Sequence, residues 1–174
     1  LIDFQPSFMN SMAQTPGVLR RAEFLTSVAA RLRVPTLITE QYPSRMGGTF
    51  ASLIESAGDE ARGFGKMTFS ATEVTDFMLA LDATGRHQVI LAGCETHICV
   101  NQTAHGLIER GYQVVLATDA ICGRGEEASA SALRRMVRAG AIESHTESIV
   151  YEWLQTAEHP QFREILQLVK AAAN

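Results

Sequence analysis

Gln88-Val89-Ile90-Leu91-Ala92-Gly93 is an apolar run with a polar residue only at its start, and from about His97 to Arg110 the chain changes to helical spacing. A short run with no alternation reads as a strand covered on both faces, the usual state of strands in a parallel sheet. Gly111 ends the helix, and Val114 to Ala117 repeats the buried-strand pattern. Strand, helix and strand in this order form a right-handed βαβ unit. Downstream, Glu126 to Ala139 is amphipathic, with Ala132, Leu133, Met136 and Val137 turned inward, and Ala141-Ile142 reads as a last short strand. Helical stretches follow around Ser148 to Leu154 and from Phe162 to Ala173, with Pro160 opening the second. Upstream, Val74, Phe77, Met78 and Leu81 mark a helix, and Val34 to Thr39 a strand with Pro35 at its start. Thr15-Pro16 opens a helix carried by Val18, Leu19, Ala22, Leu25, Val28, Ala29 and Leu32. Glu40 to Gly65 has no sustained period and contains Pro43, Gly47, Gly48, Gly58, Gly63 and Gly65, so it reads as a loop over a site. Leu1-Ile2-Asp3-Phe4 reads as the end of a strand whose earlier residues are absent from the numbering. The expected fold class is α/β, a doubly wound three-layer fold with a mostly parallel sheet flanked by helices, in a single domain over residues 1–174.

Composition narrows the function. The chain has 15 Lys+Arg against 19 Asp+Glu, a formal charge of −4, with no basic stripe, so nucleic acid is not an expected partner. No apolar run approaches the ~20 residues that span a bilayer, and the first residues lack the layout of a signal peptide. A cytoplasmic protein without membrane contact is expected. Three cysteines without CxxC spacing argue for free thiols rather than a disulfide framework or structural zinc.

Ligands of open α/β sheets bind at the carboxyl ends of the strands, which directs attention to Asp3, Lys66 and Cys99. Asp3 ends the first strand, Lys66 follows the long loop just before a helix, and Cys99 lies just past the strand ending at Gly93. A thiol titrating near ~8.5 needs a base or a cationic neighbour to become a good nucleophile. At the first turn of a helix Cys99 faces the positive end of the macrodipole, Lys66 adds a second positive charge, and Asp3 can take the proton. Each residue also has an ordinary role: a core thiol, a turn aspartate and a solvated lysine.

The strings Leu1-Ile2-Asp3-Phe4-Gln5, Lys66-Met67-Thr68-Phe69-Ser70 and Gly93-Cys94-Glu95-Thr96-His97-Ile98-Cys99-Val100-Asn101-Gln102-Thr103 resemble the isochorismatase-like cysteine hydrolases. Gly111-Tyr112-Gln113-Val114-Val115 and Thr118-Asp119-Ala120 continue the match in the same order. The resemblance implies an α/β hydrolase with an acyl-enzyme intermediate, in which Asp3 is the base, Lys66 the electrostatic partner and Cys99 the nucleophile. It also implies an oxyanion hole from the backbone N–H groups of Glu95 and Cys99, and a cis peptide joining Cys94 to Glu95. Nicotinamidases of this family carry a metal site with an Asp-x-His pattern and a further His before the lysine, whereas the first His here is His87. The branch without that metal site is therefore the one resembled. No cofactor is expected, the expected substrate is a small amide-like carbonyl compound with a non-peptide C–N bond, and the family's habit implies a homo-oligomer.

Candidate substrate contacts are Gln5, Gln41, Tyr42 and His97, near strand ends or beside Cys99. His105 stands six residues past Cys99, the wrong offset for a shared helix face. Cys94 and Cys122 read as structural thiols, and Trp153 and Phe162 as packing for the C-terminal helices. Two other readings stay open: a non-catalytic small-molecule or protein-binding member of the same fold, and a redox-responsive thiol protein.

Overall fold

A computed structural model describes residues 1–172. Its elements run α1 (Pro6–Met9), α2 (Thr15–Arg31), β1 (Leu37–Gln41), α3 (Pro43–Met46), α4 (Ala51–Ala57), β2 (Arg62–Lys66), α5 (Thr75–Asp82), β3 (Gln88–Cys94), a π-helical turn (Thr96–Val100), α6 (Asn101–Glu109), β4 (Gln113–Cys122), α7 (Glu126–Arg138), β5 (Ile142–Ser144), α8 (Thr146–Leu154) and α9 (Phe162–Ala172). Ala173, the expected last residue of the final helix, lies outside the described residues.

All strand pairs are parallel, in two groups: β1 with β2, and β3 with β4 and β5. Ile2 is the seam between them, bridging Thr39 on one side and Gly93 on the other. Its N–H donates to Ala92 O at 2.8 Å and its carbonyl accepts from Cys94 N at 2.9 Å, while Asp3 N donates to Thr39 O at 3.1 Å. The sheet order is thus β2, β1, the Ile2 segment, β3, β4, β5.

Successive residues of β3 and β4 go to opposite faces, and both faces are covered. Ala92, Val115 and Ala117 pack with Val18, Phe24 and Val28 of α2, Ile149 of α8 and Ile165 of α9. Leu91, Val114 and Leu116 pack with Phe77 of α5, Leu107 of α6 and Met136 of α7. This two-sided burial is why the runs read as continuously apolar. Trp153 and Phe162 pack against the first of these clusters. Among the described residues no helix is long and apolar enough to cross a membrane.

Two expectations need correction. The segment Glu40 to Gly65 is not a loop: it holds the end of β1, the short helices α3 and α4, and most of β2. Arg62-Gly63-Phe64-Gly65-Lys66 is an exposed edge strand with two glycines, a composition depleted in strands, so the pattern conceals it. At Gly65 a Cβ would stand 3.2 Å from Pro43 Cγ, a tight approach that favours glycine there. Lys66 accordingly ends a strand rather than introducing a helix. The second strand begins at Leu37 rather than Val34, which leaves Pro35 outside the ladder it could not join.

Gly93 meets the seam most closely. Its φ is +143°, and a Cβ there would lie 2.1 Å from Ile2 O. Gly93→Ala should therefore destabilise the fold by about 2 kcal/mol or more, read as a lower urea midpoint. Gly63, where a Cβ would meet nothing within 4 Å, is the control: Gly63→Ala should leave the midpoint nearly unchanged.

Candidate functional site

The carboxyl ends of β1 and β2 and the residue after the Ile2 bridge lie side by side, bringing Gln41, Lys66 and Asp3 together. Asp3 has φ of 51°, a left-handed conformation that Asp tolerates better than most residues. Ile2 and Phe4, which strict alternation would put on one face, consequently pack into opposite clusters. Lys66 Nζ donates to Asp3 Oδ2 at 2.7 Å, to Gln41 Oε1 at 2.6 Å and to Thr68 O at 3.3 Å. The ammonium's three protons are thus all engaged within the protein. The other oxygen of the carboxylate, Asp3 Oδ1, accepts from Thr39 Oγ1 at 2.8 Å. Both side chains of the ion pair are buried, at 0% and 2% exposure for Lys66 and Asp3.

Cys99 lies in the turn that leads from β3 into α6. In an α-helical turn the Cys99 N–H would donate to the Glu95 carbonyl. Here that carbonyl accepts instead from Ile98 N at 3.0 Å and Val100 N at 3.3 Å, and the widened π turn passes over the amide of Cys99. The peptide between Cys94 and Glu95 is cis. The Cys99 thiol is buried, and the Asp3 carboxylate and the Lys66 ammonium are the charged groups that bear on it. Burial pushes it up to about 12, the Asp3 carboxylate adds to the rise, and Lys66 only partly offsets them. The expected preformed thiolate is therefore not what the site holds. Lys66 is a weaker activator than its charge suggests because Asp3 already neutralises it at contact distance. Cys99 rests as a neutral thiol beside a carboxylate able to take its proton.

The candidate substrate contacts have other occupations. Gln5 is fully buried and pairs with the Gln41 peptide group, and the Gln41 amide pairs with Lys66 and Met67 O. Tyr42 donates its N–H to Lys66 O at 2.9 Å and leaves its side chain exposed. His97 turns Nδ1 toward Gly123, where among the described residues it has no hydrogen-bond partner. Burial opposes ionisation of Glu95, but Arg124, donating from N at 3.0 Å and Nε at 2.8 Å, holds its carboxyl below the ordinary value. Cys94 and Cys122 face each other in register as buried free thiols. Among the described residues no group of three or more His, Cys, Asp or Glu side chains is placed to hold a metal ion.

Thr39 and Thr68 are the members of the site that sequence reasoning did not single out. The hydroxyl of Thr39 was detectable as a polar group inside an apolar strand. Thr68 contributes only its carbonyl, which carries no residue signature.

A family model described as Isochorismatase domain matches residues 1–148. Isochorismatase domain-containing protein 2A of Mus musculus is 36% identical over 173 residues, spanning 98% of this chain and 81% of that protein. Among solved structures, MAR1 Ribonuclease from Caenorhabditis elegans has a TM-score of 0.93 at 31% identity, covering 99% of this chain and 88% of that one. YcaC from Pseudomonas aeruginosa, solved with hexane-2,5-diol and covalent acrylamide, has a TM-score of 0.84 at 26% identity, covering 99% and 89%.

The electrostatics of Cys99 can be measured without a substrate. Because Asp3 raises the thiol's proton affinity, Asp3→Asn should lower it, and alkylation of Cys99 by iodoacetamide at neutral pH should speed up by about tenfold. In the parent protein the rate should still be climbing well above pH 9, the ordinary thiol value, because a group raised to about 12 is mostly protonated below that. Mass spectrometry of the Cys99 peptide checks both.

Proposed function

The chain belongs to the isochorismatase family of α/β hydrolases, and we propose that within it this protein is a cysteine hydrolase that attacks a small amide-like carbonyl through Cys99. The observation that carries the proposal is the Asp3 carboxylate, bonded at once to the buried ammonium of Lys66 and the hydroxyl of Thr39 and close enough to the buried Cys99 thiol to raise its proton affinity. Such a carboxylate is fixed in place, ready to receive the proton of the thiol.

In the proposed reaction Asp3 accepts the thiol proton as Sγ bonds to the carbonyl carbon. The oxygen of the tetrahedral adduct gathers negative charge and is received by the N–H groups of Cys99 and Glu95. For Cys99, the π turn that leaves its amide off the Glu95 carbonyl supports this role. The C–N bond then breaks, and the departing nitrogen takes the proton held by Asp3. A water, deprotonated by Asp3, attacks the thioester; the carboxylic acid leaves and the thiol is restored. Lys66 remains an ammonium throughout and stabilises the carboxylate form of Asp3. Since the thiol supplies the nucleophile and Asp3 the base, the proposed cycle uses no metal ion. The covalent acrylamide of YcaC, a small amide bonded to a protein of this fold, is in keeping with a nucleophile on the scaffold.

A panel of small amides, ureides and esters tests the proposal, with RNA included because the Caenorhabditis elegans relative is described as a ribonuclease. Hydrolysis of at least one small carbonyl compound is expected, with kcat/KM lowered by about a thousandfold or more in Cys99→Ala and Asp3→Asn. Dialysis against a chelator should leave the rate unchanged, and acid quenching should trap an acyl group on the Cys99 peptide. Turnover that survives Cys99→Ala, or that only added metal restores, refutes the mechanism. Tight binding without turnover across the panel would instead favour the binding-protein reading.

A further inference from the structure

Gln41 and Lys66 are register partners at the ends of β1 and β2, so their side chains leave the same face of the sheet side by side. The Gln41 amide is held at both ends. Its Oε1 accepts from Lys66 Nζ at 2.6 Å, and its Nε2 donates to Met67 O at 2.9 Å, which fixes which end faces the ammonium. The backbone of Gln41 is held as well. Gln5, 0% exposed, accepts the Gln41 N–H at 2.7 Å and donates to Gln41 O at 3.1 Å and Gly47 O at 2.6 Å.

We propose that Gln41 is a positioning residue, clamped by Gln5, that holds the Lys66 ammonium against Asp3 with a neutral acceptor and thereby sets how strongly Lys66 acts on the Cys99 thiol. The inference rests on the reading of Cys99 as the nucleophile. A lysine ammonium is a point charge on a flexible four-carbon stem, and one acceptor alone does not orient it. A buried N–H without an acceptor costs about 1–3 kcal/mol, so the second proton needs a partner. The chemistry of that partner matters. A second carboxylate would cancel the charge that supports Asp3 and the developing thiolate, whereas an amide oxygen satisfies the proton and leaves the charge in place.

The surroundings are consistent with this selectivity. The charged groups that bear on Cys99 are Asp3 from the N-terminal segment and Lys66 from β2. Lys66 itself meets the Asp3 carboxylate, the Gln41 amide and the Thr68 carbonyl. Glu40, next to Gln41 on β1, is occupied by Thr49 N at 2.8 Å and Thr49 Oγ1 at 2.9 Å.

Two substitutions of similar volume give opposite signs. Gln41→Glu adds a negative charge beside the ammonium, so Cys99 should hold its proton more tightly and react with iodoacetamide about tenfold more slowly at a given pH. Gln41→Met removes the negative end of the amide dipole, so the same reaction should quicken a few-fold. Both changes should vanish when Lys66→Met is introduced alongside, since the effect travels through Lys66. Damage to the local fold would move both variants the same way and would persist without Lys66. Either of those outcomes, or rates equal to the parent, overturns the inference; if Gln41→Glu does not fold, the sign for Gln41→Met and its loss in the Lys66→Met background decide it. A panel without turnover combined with this signed pattern would sink the hydrolase reading and leave the positioning role standing.

Discussion

The contact between Lys66 and Asp3 is the constraint around which the rest is arranged. Two charges taken almost wholly out of water are costly, and such a pair persists only where further hydrogen bonds complete both partners. Here the completing groups come from three neighbouring strand ends: Thr39 and Gln41 on β1, Thr68 just past β2, and Asp3 itself just past the seam. Losing either charge would strand the other in the interior, a defect of about 3–5 kcal/mol. The fold and the chemistry therefore make the same demand, that β2 stay beside β1 in its present register. Edge position, two glycines and the approach of Pro43 to Gly65 are tolerated in β2 because Lys66 fastens its end.

The ion pair also bears on the resting state of the Cys99 thiol. A lysine already answered by an aspartate cannot also turn a nearby thiol into a thiolate, and burial works against the charge as well. What remains is a thiol held toward its neutral form beside a carboxylate. A thiol in that state is slow toward peroxides, whose targets are low-pKa, accessible cysteines. The direction of the Cys99 shift therefore runs against the redox-responsive reading.

Much of this was legible in the order of residues, and the exceptions have definite causes. The parallel core around β3 and β4 announced itself because burial on both faces selects apolar residues without alternation. Asp3, Lys66 and Cys99 could be singled out as candidates because each follows a strand or the loop between strands, and the structure does bring them together. Strand β2 was hidden because an exposed edge strand needs no apolar pattern, and its two glycines, of which Gly65 packs against Pro43, work against strand propensity. Gln5 and Gln41 were legible as polar residues near the site but not as a clamp, since one amide is occupied by a peptide group and the other by an ammonium that only the fold brings near. The state of the thiol was the least legible of all, because it depends on whether Lys66 faces Cys99 alone or shares its charge with Asp3.

The π turn at Thr96–Val100 has a consequence for how such a chain can change length. Its hydrogen-bonded ring contains one residue more than an α-helical ring, so the surplus can be lost without breaking the helix. A single-residue deletion between Glu95 and Asn101 would let the turn close into ordinary α geometry, and the amide at the nucleophile's position would be drawn back to a carbonyl. Such a deletant would keep its core, its strand order and its ion pair while losing the free amide that the proposed oxyanion hole requires. Insertions and deletions are absorbed freely in the surface connections of most folds, but in this segment the residue count itself decides whether the Cys99 amide is free.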